Sequence, residues 1–397
     1  MVSNLVKNLN PSKTLALTEK ISRLKGQGRE ILAFNLGEPD FNTPVSVIEA
    51  AEKAMRCGHT KYTSVAGISE LRTEICRKLS EDNNLEYSPE QICVSTGAKQ
   101  ALVNSAQAVC NPGDEVIIFT PCWVSYVEIV KIAGGIPVLV KASEENGFQP
   151  SRKDLVKAVT PASKAIIINS PNNPTGAIYS ESTIRMIAET AEKYGLVMIS
   201  DEIYEKLIYT DERPFSPASV SEYAMDNTIT INGFSKAYAM TGWRIGYTAA
   251  PKELADGIVS LQSHTTSNAN TISQYAAIAA LKECSADIER MKTAFNERRL
   301  YLFNRLKSMS RIECVESRGA FYLMPNVSGY YGSRTPSGDI IGNSNGFCDY
   351  MLSEASIALV PGEAFESPEN VRISYAASLE NLKKGMDAFE QALLNIK

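Results

Sequence analysis

The sequence has few of the residues that build metal centres and nucleic-acid surfaces. Among 397 residues there are only two histidines, and the eight cysteines are scattered without a C-x-x-C pair. Zinc sites are made from clustered Cys and His side chains, so we expect no bound metal. The formal net charge is only -5 and no basic block occurs. We therefore expect no nucleic-acid partner, and a small anion is the better candidate ligand.

Long hydrophobic runs are also missing. No apolar stretch approaches the roughly 20 residues that a membrane-spanning helix needs, and the start, MVSNLVKNLNPSKT, lacks the basic and apolar regions of a signal peptide. We therefore expect a cytoplasmic protein with reduced thiols and no membrane contact. The composition, 44% hydrophobic and 21% charged, is that of a globular protein, and the length suits two or three domains.

Short apolar runs in the middle of the chain indicate the fold class. Each is rich in β-branched residues and too short for a helix; they are EVIIF (115–119), AIIIN (165–169), LVMIS (196–200) and TITIN (228–232). Amphipathic segments separate most of them, such as 180–195, which ends at a glycine suited to a helix C-cap. This alternation predicts an α/β fold with a mostly parallel sheet, to which ICVS (92–95) adds a strand.

The C-terminal third has a different pattern. A long amphipathic helix is predicted over 286–309, followed by the strand-like pieces GAFYLMP (319–325) and NVRISYA (370–376). We predict a large domain over residues 46–288. Residues 289–397 and an N-terminal arm, 1–45, are predicted to form a smaller α+β domain.

Each predicted central strand is followed by a polar, glycine-rich or aromatic cluster. In chain order the clusters are STGAKQ, TPCWVSY, SPNNPTG, DEIY and GFSK. Ligands bind beyond the carboxyl ends of strands in open parallel sheets. A single cluster could be an ordinary loop, because loops are often polar. Five clusters at five strand ends predict one shared site.

Several of these motifs belong to a known family. The chain resembles the class I, fold-type I aminotransferases that use pyridoxal 5′-phosphate (PLP), and within them the bacterial aspartate aminotransferase subgroup. The resemblance runs nearly end to end, through PSKTLAL (11–17), NLGEPDF (35–41), YTSVAG (62–67), STGAKQAL (95–102), SPNNPTG (170–176), SDEIYE (200–205), SKAYAMTGWRIGY (235–247) and RISYA (372–376). It implies the fold of PLP-dependent transferases of fold type I.

The resemblance assigns residues to the cofactor. Lys236 matches the lysine that attaches PLP, and the apolar residues around it do not describe a solvated surface. Arg244 matches the cation for the phosphate, and the backbone N–H groups that begin the helix after Ser95 suit an anion. The other implied phosphate contacts are Thr96, Gly97, Ala98 and Ser235. The same segment can also be interpreted as an ordinary capped helix, and the two interpretations are compatible.

The resemblance also implies which residues contact the ring of the cofactor. Asp201 directly follows an apolar strand, where a buried carboxylate needs a cation, and the pyridinium nitrogen supplies one. Tyr204 and Asn173 match the residues at the phenolic oxygen. Trp123 matches the residue that stacks on the ring and borders the substrate, although a tryptophan is often simply a core residue.

Substrate recognition is implied at two carboxylates. Arg372 matches the residue for the α-carboxylate, with Asn173 and Gly37; an ordinary ion pair is the alternative. The region 260–270 contains no arginine for a second carboxylate. The bacterial subgroup uses a lysine, matched here by Lys99, with Ser12 and Thr14 nearby. The alternative for Lys99 is a solvated lysine, although a cation is disfavoured near a helix N-terminus.

The resemblance implies an aspartate aminotransferase, converting L-aspartate and 2-oxoglutarate to oxaloacetate and L-glutamate. Tyr62 matches a contact to the other subunit's cofactor phosphate, so a homodimer with shared active sites is expected. Prephenate, alanine or aromatic amino acids remain alternative substrates; the position associated with prephenate use carries Asn10 instead of a basic residue. PLP-dependent lyases share many cofactor residues, and an effector-binding module of the same fold is a further alternative without a DNA-binding segment to support it.

Overall fold

The computed structural model describes residues 1–11, 13–211 and 215–397, and for residues 13–15 the backbone. The strands are β1 Leu32–Ala33, β2 Ile92–Ser95, β3 Glu115–Thr120, β4 Ile136–Lys141, β5 Ser163–Asn169, β6 Val197–Asp201, β7 Thr228–Gly233, β8 Gly246–Ala249, β9 Tyr322–Leu323, β10 Ile357–Ala358, β11 Val360–Pro361 and β12 Val371–Ser374. The helices are α1 Asn4–Asn8, α2 Lys13–Gly26, α3 Val45–Arg56, α4 Ser69–Asn83, α5 Gly97–Val109, α6 Ser125–Ile132, α7 Arg152–Ala158, α8 Glu181–Tyr194, α9 Glu222–Asp226, α10 Lys252–Ser263, α11 Thr271–Glu283, α12 Ser285–Ser308, α13 Ser344–Glu354 and α14 Leu379–Leu394.

A mostly parallel sheet is the centre of the fold. Within the described residues it has seven strands in the order β2-β8-β7-β6-β5-β3-β4. Strand β8 is antiparallel to both of its neighbours. The other strands run in one direction, so β2, β3, β5, β6 and β7 end at the same edge. This geometry confirms the predicted α/β class and places the five predicted clusters along one edge of the sheet.

Helices cover both faces of this sheet because the strands are apolar on both sides. On one face, Ile118, Ile167 and Ile199 belong to a buried cluster that also contains Leu102 of α5. On the other, Ile166 and Met198 pack in a cluster with residues of α8. Helix α8 ends where the sequence predicts, because Gly195 takes the left-handed conformation (φ 68°) of a C-cap.

Two strands of the sheet were not predicted. Strand β4 lies at the edge and contains Pro137, and exposed Ile136 and Leu139 remove the clean pattern of a buried strand. Strand β8 is only GYTA, four residues of which none is a leucine, isoleucine or valine. This segment is a strand because it pairs with β2 and β7, and the local sequence pattern carries no information about that pairing.

The C-terminal region has its own smaller sheet. Strands β11, β12 and β9 form an antiparallel sheet, and β1 pairs with β10 in parallel. A hydrophobic core joins α12, α13 and α14 to this sheet through Phe295, Phe347 and Phe389. The division of the chain at residue 288 remains a prediction, and α12 runs across that position. No helix among the described residues is long and apolar enough to span a membrane.

Candidate active site

A cavity of about 330 Å³ lies at the edge of the central sheet where the five parallel strands end. Each of the five predicted clusters contributes to its wall, and NLGEPDF and the small sheet close the other side. The lining residues that matter below are Asn35, Gly37, Glu38, Ala98, Lys99, Trp123, Tyr126, Asn169, Asn173, Asp201, Tyr204, Ser235, Lys236, Arg244, Tyr322 and Arg372. The predicted convergence of the clusters on one site is confirmed.

Asp201 is the buried carboxylate of the cavity. It ends β6, and the hydroxyl of Tyr126 donates to its Oδ2 at 2.7 Å while the backbone N–H of Ile203 donates to Oδ1 at 3.2 Å. Burial raises the pKa of Asp201 to about 6, against the lowering effect of these hydrogen bonds and of the nearby Lys236. A carboxylate in this position favours a cationic partner in the cavity.

Lys236 projects into the same cavity from the turn after β7. Its Nζ donates to the backbone oxygen of Gly37, which joins the sheet edge to the NLGEPDF segment. Burial lowers the pKa of Lys236 to about 8; Glu38 opposes this effect, and the cations Arg372 and Arg244 add to it. About a tenth of the molecules therefore carry a neutral amine at about pH 7, far more than for an ordinary lysine, and a nucleophile or proton carrier needs this form.

Arg372 is a buried cation with incomplete pairing. It lies on β12, where its Nη1 donates to Oδ1 of Asn173 at 2.9 Å and its Nη2 donates to the backbone oxygen of Asn35 at 2.8 Å. Its Nε has no hydrogen-bond partner among the described residues. The guanidinium lies over the ring of Tyr322, 4.4 Å from its centroid. A buried guanidinium without a carboxylate partner suits the carboxylate of a ligand.

The turn between β2 and α5 lies close to the side chain of Arg244. Gly97 has φ 80°, and a Cβ at this position would lie 2.6 Å from Nη2 of Arg244. A Cβ at Gly246 would lie 2.4 Å from the backbone nitrogen of Ala98. A helix N-terminus beside an arginine is a suitable site for a phosphate. The N–H of Thr96, which the sequence assigned to the phosphate, is instead donated to Oε1 of Gln100 at 2.6 Å.

Lys99 and Trp123 lie together near the mouth of the cavity. The ammonium of Lys99 is 4.8 Å from the centroid of the Trp123 ring, a cation–π contact. Partial burial and the neighbouring Arg244 lower the pKa of Lys99. By accessible surface, however, Lys99 and Arg244 are both exposed residues. Their electrostatic effects are therefore screened more than those of Asp201.

Tyr204 connects the central sheet with the small one. Its hydroxyl lies 2.9 Å from the hydroxyl of Tyr322 on β9, and the two rings meet edge to face. Burial is the main reason why the pKa of Tyr204 is well above its usual value. Its phenol therefore stays protonated and can donate a hydrogen bond into the cavity.

Among the described residues, Tyr62 is a predicted residue that is not part of the cavity wall. Its side chain is 90% exposed. Ser12 lies outside the described residues, and so does the side chain of Thr14.

Sequence reasoning missed residues that the structure places in the wall. Asn169 ends β5 as Asp201 ends β6; its Nδ2 donates to the backbone oxygen of Asp201 at 3.0 Å, and its Oδ1 accepts from the N–H of Asn173. A polar residue that closes an apolar strand was the available signal. Tyr126 stands three residues after Trp123 in a quoted motif. Tyr322 comes from a strand far along the chain and carried no local signal.

The comparisons with known proteins agree with this geometry. The family model for aminotransferases of class I and II matches residues 29–389, and the chain belongs to this family of PLP-dependent transaminases. It is 45% identical over 385 residues to an aspartate aminotransferase of Geobacillus stearothermophilus, with 96% of each chain covered. A probable aspartate/prephenate aminotransferase of Aquifex aeolicus is 42% identical, with 100% of this chain and 99% of the relative covered. The structure of the Thermus thermophilus aspartate aminotransferase with maleate superimposes with a TM-score of 0.93 at 41% identity, covering 99% of both chains.

The residues of the cavity fit the cofactor of this family. PLP carries a pyridinium nitrogen, an aldehyde and a phosphate. The cavity offers a buried carboxylate at Asp201 and an amine of lowered pKa at Lys236. It also offers a glycine turn beside Arg244, where a Cβ would collide. These three groups complement the three chemical features of PLP.

Proposed function

We propose that the chain is an aspartate aminotransferase that transfers the amino group of L-aspartate to 2-oxoglutarate, giving oxaloacetate and L-glutamate. The observation that carries this proposal is one cavity in which half-buried Lys236 meets buried Asp201 and Arg372. The relatives reported above bear the name of this activity. A single site that alternates between two amino acid and oxo acid pairs would give ping-pong kinetics.

When bound, PLP supplies an electron sink that stabilises negative charge at the substrate Cα. Asp201 would hold the proton of the pyridinium nitrogen, because burial favours pairing of the carboxylate with a cation. Tyr204 and Asn173 would donate hydrogen bonds at the phenolic oxygen. Arg244, Ser235 and the N–H groups of Gly97 and Ala98 would hold the phosphate, and the Trp123 ring would cover one face of the cofactor.

Lys236 has two proposed tasks. Its amine would hold the cofactor covalently, and as a free amine it would move the proton at the substrate Cα. A pKa of about 8 lets the same amine accept and return a proton near neutral pH. Lys236 lies in the cavity wall together with Glu38 and Arg372, and the bound substrate would occupy the same cavity.

Arg372 would bind the α-carboxylate of the substrate. The structure supports this role because the guanidinium is buried, held by Asn173 and Asn35, and short of a partner at Nε. A carboxylate accepts two parallel hydrogen bonds from a guanidinium, which fixes the Cα–H bond relative to the cofactor. An ion pair within the small domain, the alternative reading, is not favoured by these contacts.

Lys99 would bind the distal carboxylate of aspartate or glutamate. The Thermus thermophilus aspartate aminotransferase described above is a structure with maleate, which is a dicarboxylate. The position of Lys99 at the mouth, against the Trp123 ring, suits a group at the far end of the substrate. Because the residue is exposed, its contribution should lie near the low end for a charged hydrogen bond, about 1.5 kcal/mol.

A homodimer with shared sites is the proposed state of the enzyme. Helix α3 leaves Val45 (68%), Ile48 and Met55 exposed, and Tyr62 follows on the same stretch. Apolar exposure of this kind is typical of an interface. Mixing the Lys236→Ala and Tyr62→Ala variants, and letting subunits exchange at limiting PLP, should restore part of the activity. Only a dimer in which Tyr62 serves the partner's cofactor rebuilds an intact site. A monomer by sedimentation, or no restored activity, would contradict the proposal.

We also propose a cytoplasmic location. All eight cysteines lie in the described part of the chain and have free thiols, which fits a reducing compartment. Fractionation of cells producing the natural protein is the direct test.

Prephenate remains a second candidate substrate, because a relative of similar identity carries that name. Asn10 is neutral, and its side chain donates to Glu128 at 3.0 Å. The test of function is a panel on the purified holoenzyme: aspartate, alanine and phenylalanine as donors with 2-oxoglutarate, and prephenate as acceptor. Oxaloacetate formation should dominate, and a faster reaction with any other member would replace aspartate as the substrate. Decarboxylated or eliminated products would indicate a lyase.

A further inference from the structure

The segment DEIYE, residues 201–205, has two sides with different surroundings. Asp201 and Tyr204 face the cavity. Glu202 and Glu205 are each only 5% exposed and are not part of the cavity wall. The alternation of strand β6 and the tight turn after it explain this separation, since neighbouring side chains leave a strand on opposite faces. The two glutamates therefore lie behind the proposed catalytic residues.

Glu205 is held by the end of helix α4. Its Oε1 accepts from Nζ of Lys78, and its Oε2 accepts from Nδ2 of Asn83 at 2.7 Å. The ammonium of Lys78 also donates to Oδ1 of Asn83 at 2.7 Å, which closes a ring of three hydrogen bonds. All three residues are buried. We call this group the Lys78–Asn83–Glu205 cluster.

Glu202 has a separate set of partners. The hydroxyls of Ser200 and Ser216 donate to its Oε1 at 2.8 and 2.6 Å. Burial first, and then the charge of Glu205, raise the pKa of Glu202 to about 7. The backbone N–H of Glu202 donates to the backbone oxygen of Ile231 on β7. Glu202 thus fixes the start of the segment to the sheet, whereas Glu205 fixes its end to α4.

Stability alone is a weak explanation for the cluster. Burying an ion pair costs desolvation free energy that the attraction between the charges often fails to recover. A well-packed apolar pair of similar size would serve stability as well. Geometry is a stronger explanation, because the cluster fixes the backbone directly beside Tyr204. The turn is further held by the N–H of Glu205 bonded to the oxygen of Glu202 and the N–H of Leu207 bonded to that of Tyr204.

We propose that the Lys78–Asn83–Glu205 cluster positions the phenol of Tyr204 for its hydrogen bond to the cofactor. This inference rests on the proposed function, in which Tyr204 donates to the phenolic oxygen of PLP. On the cavity side, the phenol of Tyr204 contacts Tyr322 of the small sheet. On the opposite side, the cluster holds the backbone of the residue that follows Tyr204. Residues of α4 that never touch the cofactor thereby determine the direction of a bond to it.

The readout is the pKa of the bound cofactor, measured from its visible absorbance as a function of pH. A donor to the phenolic oxygen stabilises the deprotonated form of the cofactor and lowers this pKa. Tyr204→Phe should raise it, and Glu205→Gln should raise it in the same direction, by a smaller amount. In the double variant the second change should add little, because both act through one hydrogen bond.

Two further variants separate positioning from stability. Lys78→Met/Asn83→Leu/Glu205→Leu removes both buried charges together with the buried amide that pairs with them, so we expect thermal unfolding close to that of the unmodified protein but a raised cofactor pKa. Arg77→Gln is the matched control: Arg77 precedes Lys78 on α4, and its guanidinium pairs with Glu74 and Glu81 at 2.9 and 2.6 Å on the exposed side. It should leave the cofactor pKa unchanged.

The outcomes decide the proposal. A shift with Glu205→Gln that is absent after Tyr204→Phe supports it. Loss of unfolding temperature without a change in cofactor pKa, or full additivity with Tyr204→Phe, overturns it. The aspartate assay on the unmodified enzyme tests the proposed function independently. If that assay fails while the pKa shifts appear, the cluster still positions Tyr204 and only the substrate assignment is lost.

Discussion

The floor of the cavity and its rim use charge differently. The floor, Lys236, Asp201 and Arg372, is enclosed, and each of its groups has a pKa moved mainly by burial. The rim, Lys99 and Arg244, is exposed to solvent. Charges at the floor interact strongly because little water screens them, whereas rim charges are screened. We therefore expect the groups that act at the substrate Cα and its α-carboxylate to be at the floor, and the groups that bind the distal carboxylate and the phosphate to be at the rim.

Lys236→Ala should have the largest effect, because it removes both the attachment point and the proton carrier. We expect kcat to fall by about four decades, the upper end for acid–base catalysis. Borohydride reduction followed by a tryptic digest should find the pyridoxyl group on Lys236 in the unmodified protein and on no lysine in the variant. A pyridoxyl group on any other lysine of the unmodified protein would refute the assignment.

Asp201→Asn should come next, with kcat lower by about two to three decades, because a neutral amide cannot hold the pyridinium proton. Single-turnover absorbance measures this step directly. Near-normal rates in the variant would remove Asp201 from the mechanism.

The same variant should not destabilise the cofactor-free protein at neutral pH. Folding raises the pKa of Asp201 from 3.8 to about 6, so the folded state binds this proton more tightly than the unfolded state. The stabilising effect of protonation is present below pH of about 4 and is lost as pH rises towards about 6. The asparagine variant carries no such charge, so its unfolding temperature relative to the parent should be higher at about pH 7.5 than at about pH 5. The opposite pH trend would contradict a net penalty for the buried charge.

Arg372→Lys should lower kcat/KM for aspartate and for alanine alike, by about one to two decades. Lysine keeps the charge but cannot make the paired hydrogen bonds to an α-carboxylate. An effect confined to aspartate would move Arg372 from the α-carboxylate to the distal one. Unfolding temperature provides the control for damage to the core.

Lys99→Ala should have the smallest effect and the most selective. We expect kcat/KM for aspartate to fall about tenfold, since about 1.4 kcal/mol corresponds to one decade, while alanine is nearly unaffected. The ratio of the two substrates is the quantity to measure. Equal losses would assign Lys99 to the phosphate turn, and no loss would make it a solvated lysine. A decrease of several decades would show that the rim is closed to water in the complex, and the contrast with the floor would disappear.

Local sequence determined five strands of the central sheet, the C-cap of α8 and the five strand-end clusters; the strands are β2, β3, β5, β6 and β7. These features depend on residue spacing and on neighbours within a few positions, and parallel topology then brings the strand ends to one edge. Lys236, Asp201 and Asn173, which the resemblance to the family singled out, lie in the cavity wall, and each stands at or just after such a strand end. The roles assigned to them stay predictions.

Tertiary structure alone decided several other features. Strand β8 exists because β2 and β7 pair with it, and the hydroxyls of Tyr322 and Tyr204 meet across residues far apart in the chain. The exposure of Lys99 depends on how far neighbouring elements extend over it. Hydrogen bonds such as that from Tyr126 to Asp201, and pKa values set by burial, arise only when distant segments are packed together. Spacing in the sequence specifies which groups are present at the sheet edge, while packing determines how strongly their charges act.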